Sequence, residues 1–131
     1  GCWTDAVTGA APCAQINPIG SVIHLRAPAG AAAVLINLTL TGATSAGFAT
    51  AEPCSMLTPT PGQSNGNVAV GGTAANLAIV PVDADGTFCV MVSAPMHVIV
   101  DLQGSFSSTG SLQFMPSAPV RRSDTRGTVT A

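Results

Sequence analysis

The sequence has 131 residues, which is enough for one domain and too few for two. Only 8% of the residues are charged, the formal net charge is −2, and the hydrophobic share is 47%. So few basic residues exclude a nucleic-acid-binding face, and so little charge beside so much apolar content excludes a disordered chain. The apolar runs are also too short for a membrane-spanning helix.

Apolar and polar residues alternate along most of the chain, which is the period of a β-strand. The longest predicted strands are residues 34–41, 76–82, 87–92 and 96–103. Shorter strands are predicted at residues 21–26, 47–51, 67–70, 112–114 and 128–130. The Asp85-Gly86 step predicts a hairpin turn, and Pro81 places the end of its strand at a sheet edge or bulge. The pattern predicts an all-β fold, an antiparallel sandwich of Greek-key or jelly-roll type without substantial helix.

The chain divides into a sandwich body at residues 1–106, a Ser/Gly linker at 107–111 and a strand-bearing tail at 112–131. Irregular stretches are predicted at residues 4–18, 53–66 and 105–111, where Gly, Pro, Ser and Thr cluster. The predicted bulky fillers of the core are the four phenylalanines, Phe48, Phe88, Phe106 and Phe114.

The four cysteines are Cys2, Cys13, Cys54 and Cys89, and none of their spacings matches a zinc knuckle or a thioredoxin-like site. Four cysteines allow three pairings. Proximity along the chain favours Cys2–Cys13 and Cys54–Cys89, and the alternative is four reduced thiols in a cytosolic protein. Disulfides would place the protein outside the cell. The start, Gly1-Cys2-Trp3, has no signal-peptide character, so we expect a processed form or a fragment.

The residues that carry chemistry form no convincing active site. His97 and Asp101 are four residues apart, which puts both on one side of a strand, and Ser93 or Ser105 could complete a nucleophilic set. No nucleophile elbow accompanies them, however, and Asp83 and Asp85 are expected to shape a turn. We therefore predict no catalytic residue, no metal site and no cofactor.

Five motifs follow one another in order: AVLINLTLT at 33–41, GFATAEPC at 47–54, ANLAIVPV at 75–82, DADGTFCV at 83–90 and VIVDLQGSF at 98–106. The order and spacing resemble repeated domains of secreted and cell-surface proteins of actinobacteria. The resemblance covers roughly residues 27–106. It implies a non-enzymatic β-sandwich and supports the Cys54–Cys89 pairing.

Repeats of that family commonly open with P-x-R-[LV]-x-D-T-R, but here a similar segment, PVRRSDTR, stands behind the body at residues 119–126. The tail could fold back onto its own body or complete a neighbouring copy, since a sandwich lacking a strand exposes an edge for β-augmentation. For the second case the predicted subunit-docking residues are Pro119, Arg121, Arg122, Asp124, Thr125 and Arg126.

The sequence thus predicts an extracellular structural module that forms a homo-oligomer or polymer: a filament, a surface layer or a particle coat. One alternative is a cell-wall carbohydrate-binding or adhesion module, for which Trp3 could stack on a sugar. Another is a decoration or tail protein of a phage virion.

Overall fold

The computed structural model describes residues 16–110, which form seven strands in two antiparallel sheets. The strands are β1 Val22–Arg26, β2 Ala31–Thr41, β3 Gly47–Glu52, β4 Gly66–Val68, β5 Thr73–Pro81, β6 Thr87–Val92 and β7 His97–Ser107. One 3₁₀ turn, Cys54–Met56, is the only helical element among these residues. Residues 16–110 contain no helix with the length and apolar character needed to cross a membrane.

The predicted all-β sandwich is confirmed, and each strand predicted within residues 16–110 is present. One sheet has the order β1-β6-β3-β4, and the other has the order β5-β2-β7. β4 lies against β2 and β5 and closes one side of the sandwich. The opposite ends of the two sheets are β1 and β7. Pro81 ends the edge strand β5, as its missing N–H requires.

β2 is the central strand of the smaller sheet and shows how the alternation builds the core. Val34, Ile36, Leu38 and Leu40 are completely buried, whereas the residues between them are half-buried. The buried set faces Phe88, Val90 and Val92 of β6 across the sandwich, in one apolar cluster. Burying a side chain of this size stabilises the fold by about 1.5–3 kcal/mol.

Two expectations about the fold need correction. Phe88 is buried, but Phe48 and Phe106 are only half-buried, and aliphatic side chains and Met96 fill the largest core positions instead. The irregular stretch predicted at 105–111 begins too early, because β7 pairs with β2 through Ser107. A turn follows, in which the N–H of Gly110 donates to the carbonyl of Ser107 at 3.2 Å. Phe114 and the tail lie outside the described residues.

The loop between β3 and β4 covers the outer side of the four-stranded sheet. Thr50 on that side is fully buried and donates its hydroxyl to the carbonyl of Gln63 at 2.7 Å. The side-chain carbonyl of Asn65 accepts from the backbone N–H of Ala51 at 2.8 Å. The backbone N–H of Asn65 donates to the backbone carbonyl of Ala49, also at 2.8 Å. The predicted surface loop at residues 53–66, which we call the cover loop, therefore packs against β3 and β6.

Candidate interaction site

The Cys54–Cys89 disulfide is present, as chain proximity and the family resemblance predict. It joins the 3₁₀ turn after β3 to the middle of β6, with the two Cα atoms 4.8 Å apart. Cys2 and Cys13 lie outside the described residues, so their pairing stays a prediction. The bond anchors the cover loop to the sheet that the loop covers.

Asp83 and Asp85 hold the turn between β5 and β6. The carboxylate of Asp83 accepts from the N–H of Ser55 at 2.9 Å and from its hydroxyl at 2.5 Å. Asp85 accepts from the N–H and the hydroxyl of Thr87 at 3.0 and 2.6 Å. Gly86 has a φ of 86°, a left-handed conformation in which glycine is strongly favoured. Both carboxylates are used for turn geometry.

The hydrogen bonds from Thr87 lower the pKa of the exposed Asp85 carboxyl below its ordinary value of 3.8, with a smaller contribution from Arg26. A carboxyl whose pKa is depressed in the folded state stabilises the fold above its unfolded pKa and loses that contribution as pH falls through the folded value. Asp85→Asn should therefore reduce stability at pH 6 and reduce it less at pH 2. Urea midpoints at both pH values test this, with Asp101→Asn as the control for removing one negative charge. Equal effects of Asp85→Asn at both pH values would contradict it.

The possible nucleophilic set is only partly brought together. His97 and Asp101 pair with Thr41 and Asn37, so they lie on one side of the sheet, as predicted. Ser93 instead accepts a hydrogen bond from the N–H of Phe48 at 2.8 Å. Ser105 lies opposite Val34, whose side chain points into the core. Among the described residues, no hydrogen bond joins His97 or Asp101 to either serine.

Other ligand sites find little support within residues 16–110. No group of three or more His, Cys, Asp or Glu side chains there could hold a metal ion. A shallow depression of about 530 Å³ lies between residues 26–32 and 82–86, but its carboxylates belong to the turn just described. The aromatic side chains in this part of the chain are Phe48, Phe88 and Phe106, and none is exposed. They offer no platform for a sugar ring, and Trp3 lies outside the described residues.

The core-facing side chains of β7 are unusually exposed to solvent. Val98, Val100 and Leu102 lie opposite Leu40, Leu38 and Ile36, which are all completely buried. Val98 and Val100 are nevertheless only half-buried, and Leu102 is 53% exposed. The larger sheet therefore does not fully cover the interior beneath β7. We call these three side chains the open side.

β7 is a terminal strand of its sheet within the described part of the chain. Its 11 residues pair with β2, and no other strand among residues 16–110 pairs with them. A register shift between Leu35 and Ile36 leaves Gln103 as an extra residue, which is a β-bulge. Such a long edge strand is a template for another strand.

The sequence predicted the shared face of Val98, Val100 and Leu102 but not its exposure. It also missed the exposed apolar side chains Leu77, Ile79 and Ile99 on the opposite side of the same sheet. The sequence did contain a signal for this surface, because residues 77–80 and 98–100 are apolar at every position. A sheet that is buried on one side only needs apolar residues at alternate positions, so these runs put apolar side chains on both sides. The predicted docking residues of the tail, from Pro119 to Arg126, lie outside the described residues.

These features define a disulfide-stapled antiparallel β-sandwich with an open side and a long edge strand. No protein-family model, no curated protein and no solved structure matches the chain.

Proposed function

We propose that this protein is a non-enzymatic extracellular structural module that self-associates by strand donation. The tail, residues 112–131, would lie along β7 of a neighbouring copy and cover its open side. The observation that carries the proposal is the exposure of Leu102 and the partial exposure of Val100 beside fully buried partners on β2.

The proposal accounts for the order of the parts in the chain. The segment that resembles the opening motif of actinobacterial surface repeats, residues 119–126, stands after the body. The chain beyond Gly110 is nearly twice as long as β7. An extended strand advances about 3.3 Å per residue, so this segment can cross a gap and still align with most of a neighbour's β7.

Donation from each copy to the next is a heterologous contact, which closes into a ring or continues as a filament. A filament follows directly from such a contact, and a surface layer or particle coat would need a further contact between copies. The Cys54–Cys89 bond supports an extracellular location, since structural disulfides persist in oxidising compartments. The low share of charged residues, 8%, supports close association of copies because it limits their mutual repulsion.

Removing residues 111–131 should abolish assembly. We expect light scattering and electron microscopy to show polymers or rings of the full chain and neither polymers nor rings of the shortened chain. Circular dichroism of both proteins controls for folding. A shortened chain that assembles to the same size as the full chain would show that the tail is not the donor.

A mixing experiment tests whether the tail of one copy can bind the open side of another, whereas the size of the unmodified full chain distinguishes donation from folding back. One protein is the full chain with Leu102→Lys, which keeps its tail but carries a charge on the open side. The other ends at residue 110 and keeps its open side. We expect each alone to be free of strand-donated polymers, whereas the mixture forms one-to-one complexes. Absence of the complex, with both proteins folded, would overturn donation between copies.

A further inference from the structure

The two sheets differ in how their outer sides are covered. On the four-stranded sheet, outward residues such as Thr50, Cys89 and Met91 are 0%, 1% and 6% exposed. On the three-stranded sheet, Leu77 and Ile99 are 66% and 48% exposed. The outer side of the four-stranded sheet is therefore covered, whereas the outer side of the three-stranded sheet exposes apolar side chains.

The outward side chains of the three-stranded sheet form one surface, which we call the outer face. Its exposed members are Thr73, Ala75, Leu77, Ile79, Ile99 and Asp101, and His97 and the outward side chains of β2 are half-buried. The pairing of β2 with both neighbours brings them together, since Leu35 lies opposite Ile79 and Thr39 lies opposite Ile99. Directly opposite side chains are about 4.5–5.5 Å apart, which is contact distance for aliphatic groups.

The area of the outer face limits the kind of contact it can make. Three strands about 4.8 Å apart and about nine residues long project to roughly 430 Å². Polar side chains such as Asn37 and Thr39 occupy part of this area, between the apolar residues of β5 and Ile99. A stable isolated interface needs about 800 Å² from each partner. The outer face therefore fits a weak contact between copies.

The polar groups of the outer face favour a second copy of this chain as the occupant. His97 and Asp101 lie two residues before and two residues after Ile99, and all three share the outer face. Consider a two-fold axis that lies between the two stacked faces, directly above Ile99, and runs parallel to the sheet and perpendicular to β7. This axis places β7 of the second copy over β7 of the first in the opposite direction. His97 of each copy then lies over Asp101 of the other.

This arrangement gives both polar groups a partner across the contact. An imidazole has an N–H that can donate to a carboxylate whether or not the ring is charged. Self-complementarity of this kind is what a two-fold interface requires. We infer that the outer face binds the outer face of a second copy, related by a two-fold axis, in a weak contact that is independent of strand donation.

The experiment uses the full chain with Leu102→Lys, so that strand donation is blocked and only other contacts remain. Sedimentation equilibrium from 10 μM to 1 mM should show a reversible dimer. Adding Leu77→Thr and Ile99→Thr should weaken the association constant by at least about tenfold, because both apolar side chains leave the contact. Val70→Thr is the matched control, because Val70 is 65% exposed but lies in the turn after β4. A protein that stays monomeric to 1 mM, or a Leu77→Thr/Ile99→Thr variant that associates as tightly as its parent, would overturn the inference.

Exchange of the polar pair tests the two-fold geometry itself. His97→Asp alone places two carboxylates together and should weaken the dimer by at least about tenfold. Asp101→His added to it restores the opposite pair and should return the association constant to within about threefold of the parent. A double variant as weak as His97→Asp alone would overturn the two-fold pairing.

These results are separate from the fate of the proposed function. If strand donation fails but the outer face binds, the full chain with and without Leu102→Lys will form the same dimers. If donation holds and the outer face does not bind, the full chain will polymerise, and its Leu77→Thr/Ile99→Thr variant will form polymers of the same width.

Discussion

Leu38→Ala should lower the free energy of unfolding by about 3–5 kcal/mol. Leu38 lies in the middle of β2, its side chain is completely buried, and strands lie on both sides of it. The substitution removes three carbon atoms from a closely packed interior, and the strands cannot move together to fill the space. Urea unfolding at neutral pH measures the loss, with the disulfide left intact.

Leu102→Ala is the matched control for this prediction. It makes the same chemical change on the same inner side of the same sheet, opposite Ile36, but at a position that is 53% exposed. We expect a cost of about 1 kcal/mol or less, since much of that side chain is already in water. Equal costs at Leu38 and Leu102 would show that the open side is filled in the free monomer, and so would count against donation.

The pair also shows what the sequence could predict and what it could not. Leu38 and Leu102 stand in the same alternating pattern, and that pattern correctly predicts their strands and their common face. It contains no information about which strand lies at the edge of a sheet, because that depends on pairings between distant residues such as Ile36 and Leu102. The sequence pattern therefore could not predict that the open side is exposed.

Local signals were the most informative for turns and cross-links. The Asp85-Gly86 step correctly predicted a tight turn, because the left-handed conformation at Gly86 is a property of a few neighbouring residues. The hairpin expected around that turn is wrong, because β5 pairs with β2 in one sheet and β6 pairs with β1 and β3 in the other. The outer face was missed for the opposite reason. Leu77 and Ile99 are ordinary strand residues, and their exposure depends on the absence of any covering segment among residues 16–110.

Removing the disulfide should lower the free energy of unfolding by about as much as Leu38→Ala does. The Cys54–Cys89 bond closes a loop with a sequence separation of 35. The loss of unfolded-state entropy on closing such a loop corresponds to about 4 kcal/mol, in the chain-entropy account. That is a large part of the 5–15 kcal/mol typical of a whole domain, so Cys54→Ala/Cys89→Ala should unfold at a much lower urea concentration.

The measurement has to separate this bond from any bond between Cys2 and Cys13. Urea unfolding of the parent and of the double variant, each with and without reductant, makes that separation. Reductant should destabilise the parent by about 4 kcal/mol more than it destabilises the variant, because the variant has already lost the bond between β6 and the cover loop. A difference below about 1 kcal/mol would contradict the chain-entropy account for this bond. A large difference would make the native fold dependent on an oxidising compartment, which is where strand-donated assemblies of this chain would have to form.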